Sequence, residues 1–167
     1  MANKGLNTAT GNDTITLMGI PLNNFGTGKI LEITWDNTLI TQKVGKNGNS
    51  VTVFTPAGNQ AKAVLKVMRA SSDDTYIDSL LKLMRNDITS FVPLALTLKK
   101  PFGLSTGYQI GGSSLTPPSI NLSNDSTILT NGFFSKNPMV MTDIDGDIEQ
   151  TYTVYEMLFS NFERIFD

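Results

Sequence analysis

A change of hydrophobic period between residues 61 and 84 limits the folds open to this chain. Residues 61–67 alternate with period two, which predicts a strand with Ala63, Leu65 and Val67 on one face. Residues 73–86 then follow the spacing of a helix with one apolar stripe: Ile77, Leu80, Leu81 and Met84. Because burying each of these side chains is worth roughly 1.5–3 kcal/mol, we expect the stripe to pack onto the apolar face of the strand.

The residues before this unit form a predicted hairpin arm over residues 41–55. Residues 46–49, with the sequence KNGN, are a strong turn signal because Asn and Gly tolerate the positive φ angles of tight turns. The flanking residues alternate with period two, and an isolated two-stranded hairpin cannot bury its apolar side chains by itself. The pattern therefore favours contact with a neighbouring subunit through six candidate residues: Lys43, Val44, Gly45, Lys46, Asn47 and Gly48.

Short alternating segments elsewhere predict additional strands. They cover residues 13–22, 30–35, 39–44, 50–54, 91–99, 127–129, 133–142 and 148–159, and a helical turn within residues 157–166 is left open. About seven or eight short strands with a single helix between them predict a mainly β fold, a barrel or sandwich that carries one α-helix.

The length of 167 residues fits one domain over residues 1–167. Residues 1–12 are small and polar, and we expect a flexible N-terminal arm there. Residues 101–123 lack periodicity and are rich in Gly and Pro, which predicts an insertion loop with a functional or interface role. The chain has no leader-like apolar segment and no apolar run near about 18 residues, so we expect no membrane anchor and synthesis in a cytoplasm.

Residue types that serve catalysis are scarce in this chain. It contains no cysteine and no histidine, which excludes disulfides, thiolate zinc sites and the commonest general base. A Ser or Thr nucleophile would depend on a Lys or carboxylate base, and no sequence signature indicates one. Paired carboxylates, as in glycosidases, remain the enzymatic alternative. We therefore expect no catalytic activity and no cofactor.

An acidic turn at residues 143–149 is the segment closest to a metal-binding motif. Counted from Asp145 as the first position of a calcium loop, Glu156 falls at the twelfth position, where such loops have Glu. The sixth position is Gln150 where the loop needs glycine, so we expect a solvated turn and no metal site. The turn carries four carboxylates: Asp143, Asp145, Asp147 and Glu149.

Charge is distributed unevenly along the chain. Residues 1–100 carry 11 Lys and Arg against 7 Asp and Glu, whereas residues 101–167 carry 2 against 8. Two interpretations stay open, namely oppositely biased surfaces without a partner and complementary faces that support self-assembly.

The order of elements in the central block resembles that of a known family. A polar strand ends in VGKNG at residues 44–48, and a return strand leads to a small-residue turn, AGN, at residues 57–59. The alternating strand 61–68 and the Ser-capped helix 71–84 follow. This order is similar to that of the tail tube proteins of contractile-tailed bacteriophages, a superfamily shared with R-type pyocin tubes and the haemolysin-coregulated protein of type VI secretion. The resemblance covers about residues 13–99 and the final strand.

The resemblance implies a barrel-like β-sandwich with one flanking helix and a long interlocking hairpin arm. It implies a structural subunit that forms hexameric rings, stacked into a tube that conducts DNA during ejection. The implied location is the virion tail, after assembly in the bacterial host cytoplasm, with sheath, tape-measure and baseplate proteins as partners. The alternative is another virion β-domain, such as a baseplate hub or a capsid-decorating protein.

A tube that conducts DNA must not hold it, because every phosphate contact from Lys or Arg adds salt-sensitive affinity. We therefore expect no specific DNA binding and a lumen that is neutral or acidic. The carboxylates of the acidic turn are available either for that lumen or for the interface between rings.

Overall fold

The computed structural model describes residues 6–9, 13–25, 28–35, 37–105, 120–142, 145–146 and 151–166. Within these ranges the chain forms eleven strands, one α-helix and a short 3-10 helix. The strands are β1 (Leu6–Ala9), β2 (Thr14–Leu17), β3 (Ile20–Leu22), β4 (Leu31–Thr34), β5 (Ile40–Val44), β6 (Ser50–Phe54), β7 (Ala61–Met68), β8 (Leu94–Ser105), β9 (Ile120–Phe134), β10 (Met139–Val140) and β11 (Tyr152–Phe166). The helix α1 covers Ser72–Asn86, and the 3-10 helix covers Pro56–Asn59.

Nine of the described strands form one antiparallel sheet in the order β3-β2-β8-β9-β11-β7-β4, with β1 added to β8 and β10 added to β11. β5 and β6 form a separate two-stranded sheet. The main sheet curls toward closure because the segment after β3 bonds to β7. The Met68 amide donates to the Asn24 carbonyl at 2.9 Å, and the Lys66 amide donates to the Ile30 carbonyl at 2.8 Å. The predicted fold class, mainly β with one flanking helix, is confirmed.

β7 and β11 form the centre of the core because both alternate buried and outward-facing side chains. Four fully buried residues alternate along β7: Ala61, Ala63, Leu65 and Val67. On β11, the buried Tyr155 lies beside Leu65 and the buried Met157 lies beside Ala63. Small residues next to bulky ones let the two strands fill one densely packed layer.

The helix α1 covers one part of this core. Ile77 and Leu81 are buried, and Leu80 and Met84 are partly buried against the same cluster of apolar side chains. Leu83, on another face of the helix, is 59% exposed. The apolar stripe thus lies against the interior of the barrel, where its burial stabilises the position of the helix.

The first turn of α1 ties the helix to two other parts of the fold. Asp73 Oδ2 accepts the backbone amides of Asn23 and Asn24 at 2.7 and 2.6 Å. Asp74 Oδ1 accepts the hydroxyl of Tyr155 at 2.7 Å. Negative side chains at this position also interact favourably with the N-terminal end of the helix dipole. The segment between β3 and β4 and the start of β11 are therefore held at the same end of the helix.

Residues 13–22 form a tight hairpin where alternation predicted a single strand. Met18 and Gly19 join β2 to β3, and both have positive φ angles, 52° and 80°, as in a two-residue type I′ turn. Met is not a residue typical of that turn, so the sequence signal was weak. The Met18 amide donates to the Ala95 carbonyl at 2.8 Å, and the Ala95 amide donates to Met18 Sδ at 3.3 Å. These bonds extend the pairing of β2 with β8 into the turn.

β8 and β9 extend into the two ends of the predicted insertion loop at residues 101–123. The prediction of a loop is therefore wrong at both ends of that range. β8 continues to Ser105 and β9 begins at Ile120, with Pro101 paired to Asn124. Pairing with a distant strand here outweighs the local turn tendency of Gly and Pro. β1 pairs with the same end of β8, so part of the expected flexible arm at residues 1–12 is a strand. Residues 106–119 lie outside the described ranges.

The C-terminal strands are also longer than predicted. β11 remains a strand to Phe166, so the helical turn left open in residues 157–166 does not form. β9 is one strand across a region predicted to contain separate short strands. Its pairing with β8 shifts register between Leu94 and Leu96, close to Asn131, which has a positive φ of 55°. A bulge of this kind lets a long strand bend and stay paired as the sheet curls.

Candidate assembly interface

The hairpin of β5 and β6 is a separate small sheet in which every residue of both strands is exposed. Ile40 and Phe54 form a cross-strand pair on one face, and Val44 extends that face toward the turn. The opposite face carries Lys43, Val51 and Val53. Val44 is 69% exposed and Phe54 is 61% exposed. Because an isolated hairpin is at best marginally stable in water, apolar side chains on both faces indicate a surface that a partner covers.

The turn and the base fix the shape of this hairpin. Gly48 supplies the positive φ, 79°, that the turn requires. At the base, the Thr55 amide donates to the Leu39 carbonyl at 2.8 Å. Gly58 of the 3-10 helix lies so close to Leu39 that a Cβ at residue 58 would overlap its side chain. The hairpin therefore leaves the main sheet from an anchored base.

The sequence-predicted site residues fall in three separate places. Lys43 and Val44 end β5 and residues 45–48 form the turn, so the six arm residues are neighbours. The helix stripe lies against the core and takes no part in this surface. Asp145 is exposed. The other three acidic candidates lie outside the described residues, and their surface stays a prediction: Asp143, Asp147 and Glu149.

A second surface, which sequence reasoning missed, is an apolar cleft of about 240 Å³ between β4, β8, β9 and β11. We call it the barrel-end cleft, and its apolar lining consists of Leu31, Ile33, Trp35, Leu98 and Phe162. Trp35 is 44% exposed and meets Phe162 edge-on, with ring centroids 4.9 Å apart. Alternation over residues 30–35 predicted the strand, but the strands that complete the cleft come from distant parts of the sequence.

Asp125 and Arg164 form a bidentate ion pair at the polar end of the barrel-end cleft. Arg164 Nε donates to Asp125 Oδ1 at 2.8 Å, and Arg164 Nη2 donates to Oδ2. Asp125 is only 8% exposed, and the hydrogen bond from Arg164 lowers the pKa of this carboxyl although its burial acts in the opposite direction. A side-on Arg–carboxylate pair satisfies both groups, so it joins β9 to β11 without leaving a charge unpaired.

Glu156 lies at the centre of a charged cluster on the outward side of the sheet. Its Oε2 lies 2.8 Å from Lys136 Nζ and 3.2 Å from Lys62 Nζ, and its Oε1 accepts the Ser135 hydroxyl at 2.8 Å. These contacts, led by the hydrogen bond from Lys136, lower the pKa of Glu156 to about 2. Glu156 is therefore a permanently ionised structural group at neutral pH.

Two other kinds of feature, metal-binding clusters and membrane-spanning helices, are absent from the described residues. No cluster of three or more Asp and Glu side chains in these ranges has the geometry to hold a metal ion. None of the helices in the described part of the chain is both long and apolar enough to cross a bilayer.

The chain was compared with known proteins by sequence and by structure. No protein-family model matches it, and no curated protein matches its sequence. Its fold is similar to that of a chain in the cryo-EM structure of an extracellular contractile injection system, the PVC sheath/tube terminator in the extended state. The TM-score is 0.50 at 12% sequence identity, and the match covers 96% of each chain. The similarity supports a fold related to contractile-tail components, and at this identity it concerns the fold alone.

Proposed function

We propose that this chain is a structural subunit of a contractile tail, and that it builds the tube. The exposed hairpin of β5 and β6 carries the proposal. A domain with its own core and a projecting apolar hairpin is suited to self-assembly, because no described part of the chain covers the hairpin and contact with another copy would bury it. The fold similarity to a contractile injection system supports the same class of protein.

In this proposal the subunits form hexameric rings, and stacked rings make the conduit through which DNA passes during ejection. The tube lies inside a sheath, encloses a tape-measure protein and ends at a baseplate. Its location is the virion tail, after assembly in the host cytoplasm. The role is structural and not enzymatic, since the ionisable pairs at Asp125 and Glu156 serve to join neighbouring strands.

The similar structure contains a sheath/tube terminator, which favours a second candidate of the same class. A terminator subunit would assemble as one ring at the end of a tube and would not stack indefinitely. The two candidates differ in the product that the purified protein forms by itself.

Negative-stain electron microscopy of the purified protein tests the proposal. We expect stacked rings or tubes, whereas single rings that never stack would favour the terminator.

A variant without residues 45–50 tests the role of the hairpin. It loses the turn and the adjoining end of the hairpin, so we expect a folded protein that stays monomeric. Leu83→Ser is the matched control, since it removes an apolar side chain that is 59% exposed on α1. A wild-type protein that stays monomeric at high concentration contradicts both candidates, and tubes from the deletion variant contradict the role of the hairpin.

A further inference from the structure

The two ends of the barrel are covered unequally. The helix α1 packs near the start of β11, where Tyr155 bonds to Asp74. Toward the other end of β11, four apolar residues of the barrel-end cleft are only partly buried and pack against the core: Leu31, Ile33, Leu98 and Phe162. Among the described residues no second helix covers this end. The exposed ring of Trp35 therefore borders an opening that leads to the core.

The size and chemistry of the barrel-end cleft restrict what it can receive. Its volume of about 240 Å³ is below the roughly 300–1,000 Å³ of ordinary small-molecule pockets. Its polar end is already satisfied, because Asp125 and Arg164 pair with each other in a side-on geometry. Apart from Thr127, the remaining lining is aromatic and aliphatic. One or two large apolar side chains of a protein fit these properties.

The hairpin carries side chains of this kind. Ile40 and Phe54 are direct cross-strand partners, and they are 58% and 61% exposed. Their face contains no charged residue, because Lys43 lies on the opposite face of the hairpin. Within the described part of the chain, the same molecule thus presents an exposed, uncharged apolar pair and an apolar cleft. Within one copy they remain apart, since both members of the pair are exposed and the base of the hairpin is anchored at Leu39.

We propose that the barrel-end cleft of one copy receives the Ile40–Phe54 face of the hairpin from a second copy. This inference rests on the proposed function and specifies the surface that accepts the hairpin. The contact is head-to-tail: each copy donates one hairpin and offers one cleft, so contacts of this kind close into rings or continue into filaments. Phe54 then packs beside Trp35, and burial of both side chains replaces the water that covers them in the separate copy.

Complementation between two defective variants tests the direction of the contact. Ile40→Ser combined with Phe54→Ser removes the donor face and leaves the cleft, whereas Trp35→Ser removes the cleft wall and leaves the hairpin. We expect each variant alone to be a monomer in analytical ultracentrifugation. An equimolar mixture should form a heterodimer, because one intact cleft can still accept one intact hairpin. Circular dichroism and thermal unfolding first establish that both variants are folded.

The matched control for Trp35→Ser is Phe133→Ser, which truncates another aromatic side chain at a separate surface groove. We expect this variant to assemble like the wild type. The inference is overturned if folded Trp35→Ser protein assembles normally, or if Phe133→Ser has the larger effect on assembly. Either result leaves the proposed function intact provided that the wild type forms rings or tubes, whereas a monomeric wild type refutes both.

A crosslinking experiment gives an independent result that needs no loss of assembly. The chain contains no cysteine, so introduced thiols react without background. Thr52 lies on the same hairpin face as Phe54, and Thr127 lines the barrel-end cleft, so cysteines there leave Phe54 and Trp35 in place. Thr52→Cys protein is mixed with Thr127→Cys protein, and the mixture is oxidised with copper phenanthroline. A disulfide-linked heterodimer, identified by peptide mass spectrometry, is the expected product. Crosslinks found only between two Thr52→Cys copies would show that hairpins pair with each other, and would overturn the inference.

Discussion

The ring of Phe159 lies directly over Gly132 on the neighbouring strand. The two residues are register partners in β11 and β9, and a Cβ at residue 132 would overlap the Phe159 ring. Phe159 is fully buried, so its ring would have to shift against neighbouring core side chains to admit that Cβ. Gly132 therefore leaves room for the ring of Phe159 in the core.

We predict that Gly132→Ala destabilises the fold by about 1–3 kcal/mol, the usual cost of overpacking a dense core. Urea denaturation in the Ile40→Ser, Phe54→Ser background measures this cost without interference from assembly. Gly45→Ala is the control, because a Cβ there meets only the Asn49 carbonyl at an ordinary 3.5 Å. Its expected change is within about 0.5 kcal/mol. Equal stability of the two variants would contradict the close packing of Phe159 on Gly132.

The helix gives a second test, which compares a buried leucine with an exposed leucine two residues further along. Leu81 is 4% exposed and Leu83 is 59% exposed. Leu81→Ala should cost about 2–5 kcal/mol, because it leaves a cavity in the core. Leu83→Ala should be nearly neutral in the same denaturation assay. A cost below about 1 kcal/mol for Leu81→Ala would mean that this face does not belong to the core.

The side chain of Asp73 provides a third test, since it accepts two backbone amides from the segment after β3. Asp73→Ala leaves both amides without this acceptor, and we expect a loss of about 1–3 kcal/mol. Asp78→Ala is the control on the same helix, because its pair with Lys82 is an exposed i,i+4 contact worth at most about 0.5 kcal/mol. The prediction fails if the two variants unfold at the same urea concentration.

Some of these features could be predicted from the sequence and others could not. The stripe through Ile77 and Leu81 and the alternation of β7 are local patterns, and each element obeys its own period. The Met18–Gly19 turn could not be predicted, because Met is not a residue that favours a positive φ angle.

The barrel-end cleft could not be predicted from the sequence for a different reason. Trp35 and Phe162 meet only because the sheet order places β4, β7 and β11 side by side, and that order depends on tertiary packing.

The carboxylate of Glu156 makes stability depend on pH in the acidic range. Its pKa falls from an ordinary 4.5 to about 2 in the folded chain, chiefly through the hydrogen bond from Lys136. A carboxyl whose pKa is lower in the folded state than in the unfolded state stabilises the folded state at pH values above its unfolded pKa. This contribution to stability is lost as the pH falls through the folded pKa. Wild-type stability should therefore fall more steeply than that of Glu156→Gln as pH drops from 4.5 to about 2. Thermal unfolding followed across this range compares the two proteins, and parallel profiles would contradict the assignment.

The response of the assembly to salt tests how the copies hold together. If the apolar pair of Ile40 and Phe54 provides the contact between copies, assembly should tolerate salt, because screening weakens Coulombic attraction and leaves hydrophobic burial in place. Tubes are therefore expected to persist at about 1 M salt, where the Debye length is only about 3 Å. Sedimentation at low and high salt measures this, and tubes that dissolve at high salt would indicate charge pairing between rings.

Neutralising the turn separates its two predicted placements. The variant carries Asp143→Asn, Asp145→Asn, Asp147→Asn and Glu149→Gln. If these carboxylates line the lumen, the variant should stack normally, because the contact between rings is then unchanged. Removing lumenal negative charge should also raise the affinity of the tube for DNA, since fewer carboxylates repel the phosphates. Filter binding at physiological salt should detect no DNA bound to the wild-type tube. Loss of stacking in the variant would assign these residues to the ring interface, and tight DNA binding by the wild type would contradict a conduit that lets DNA pass.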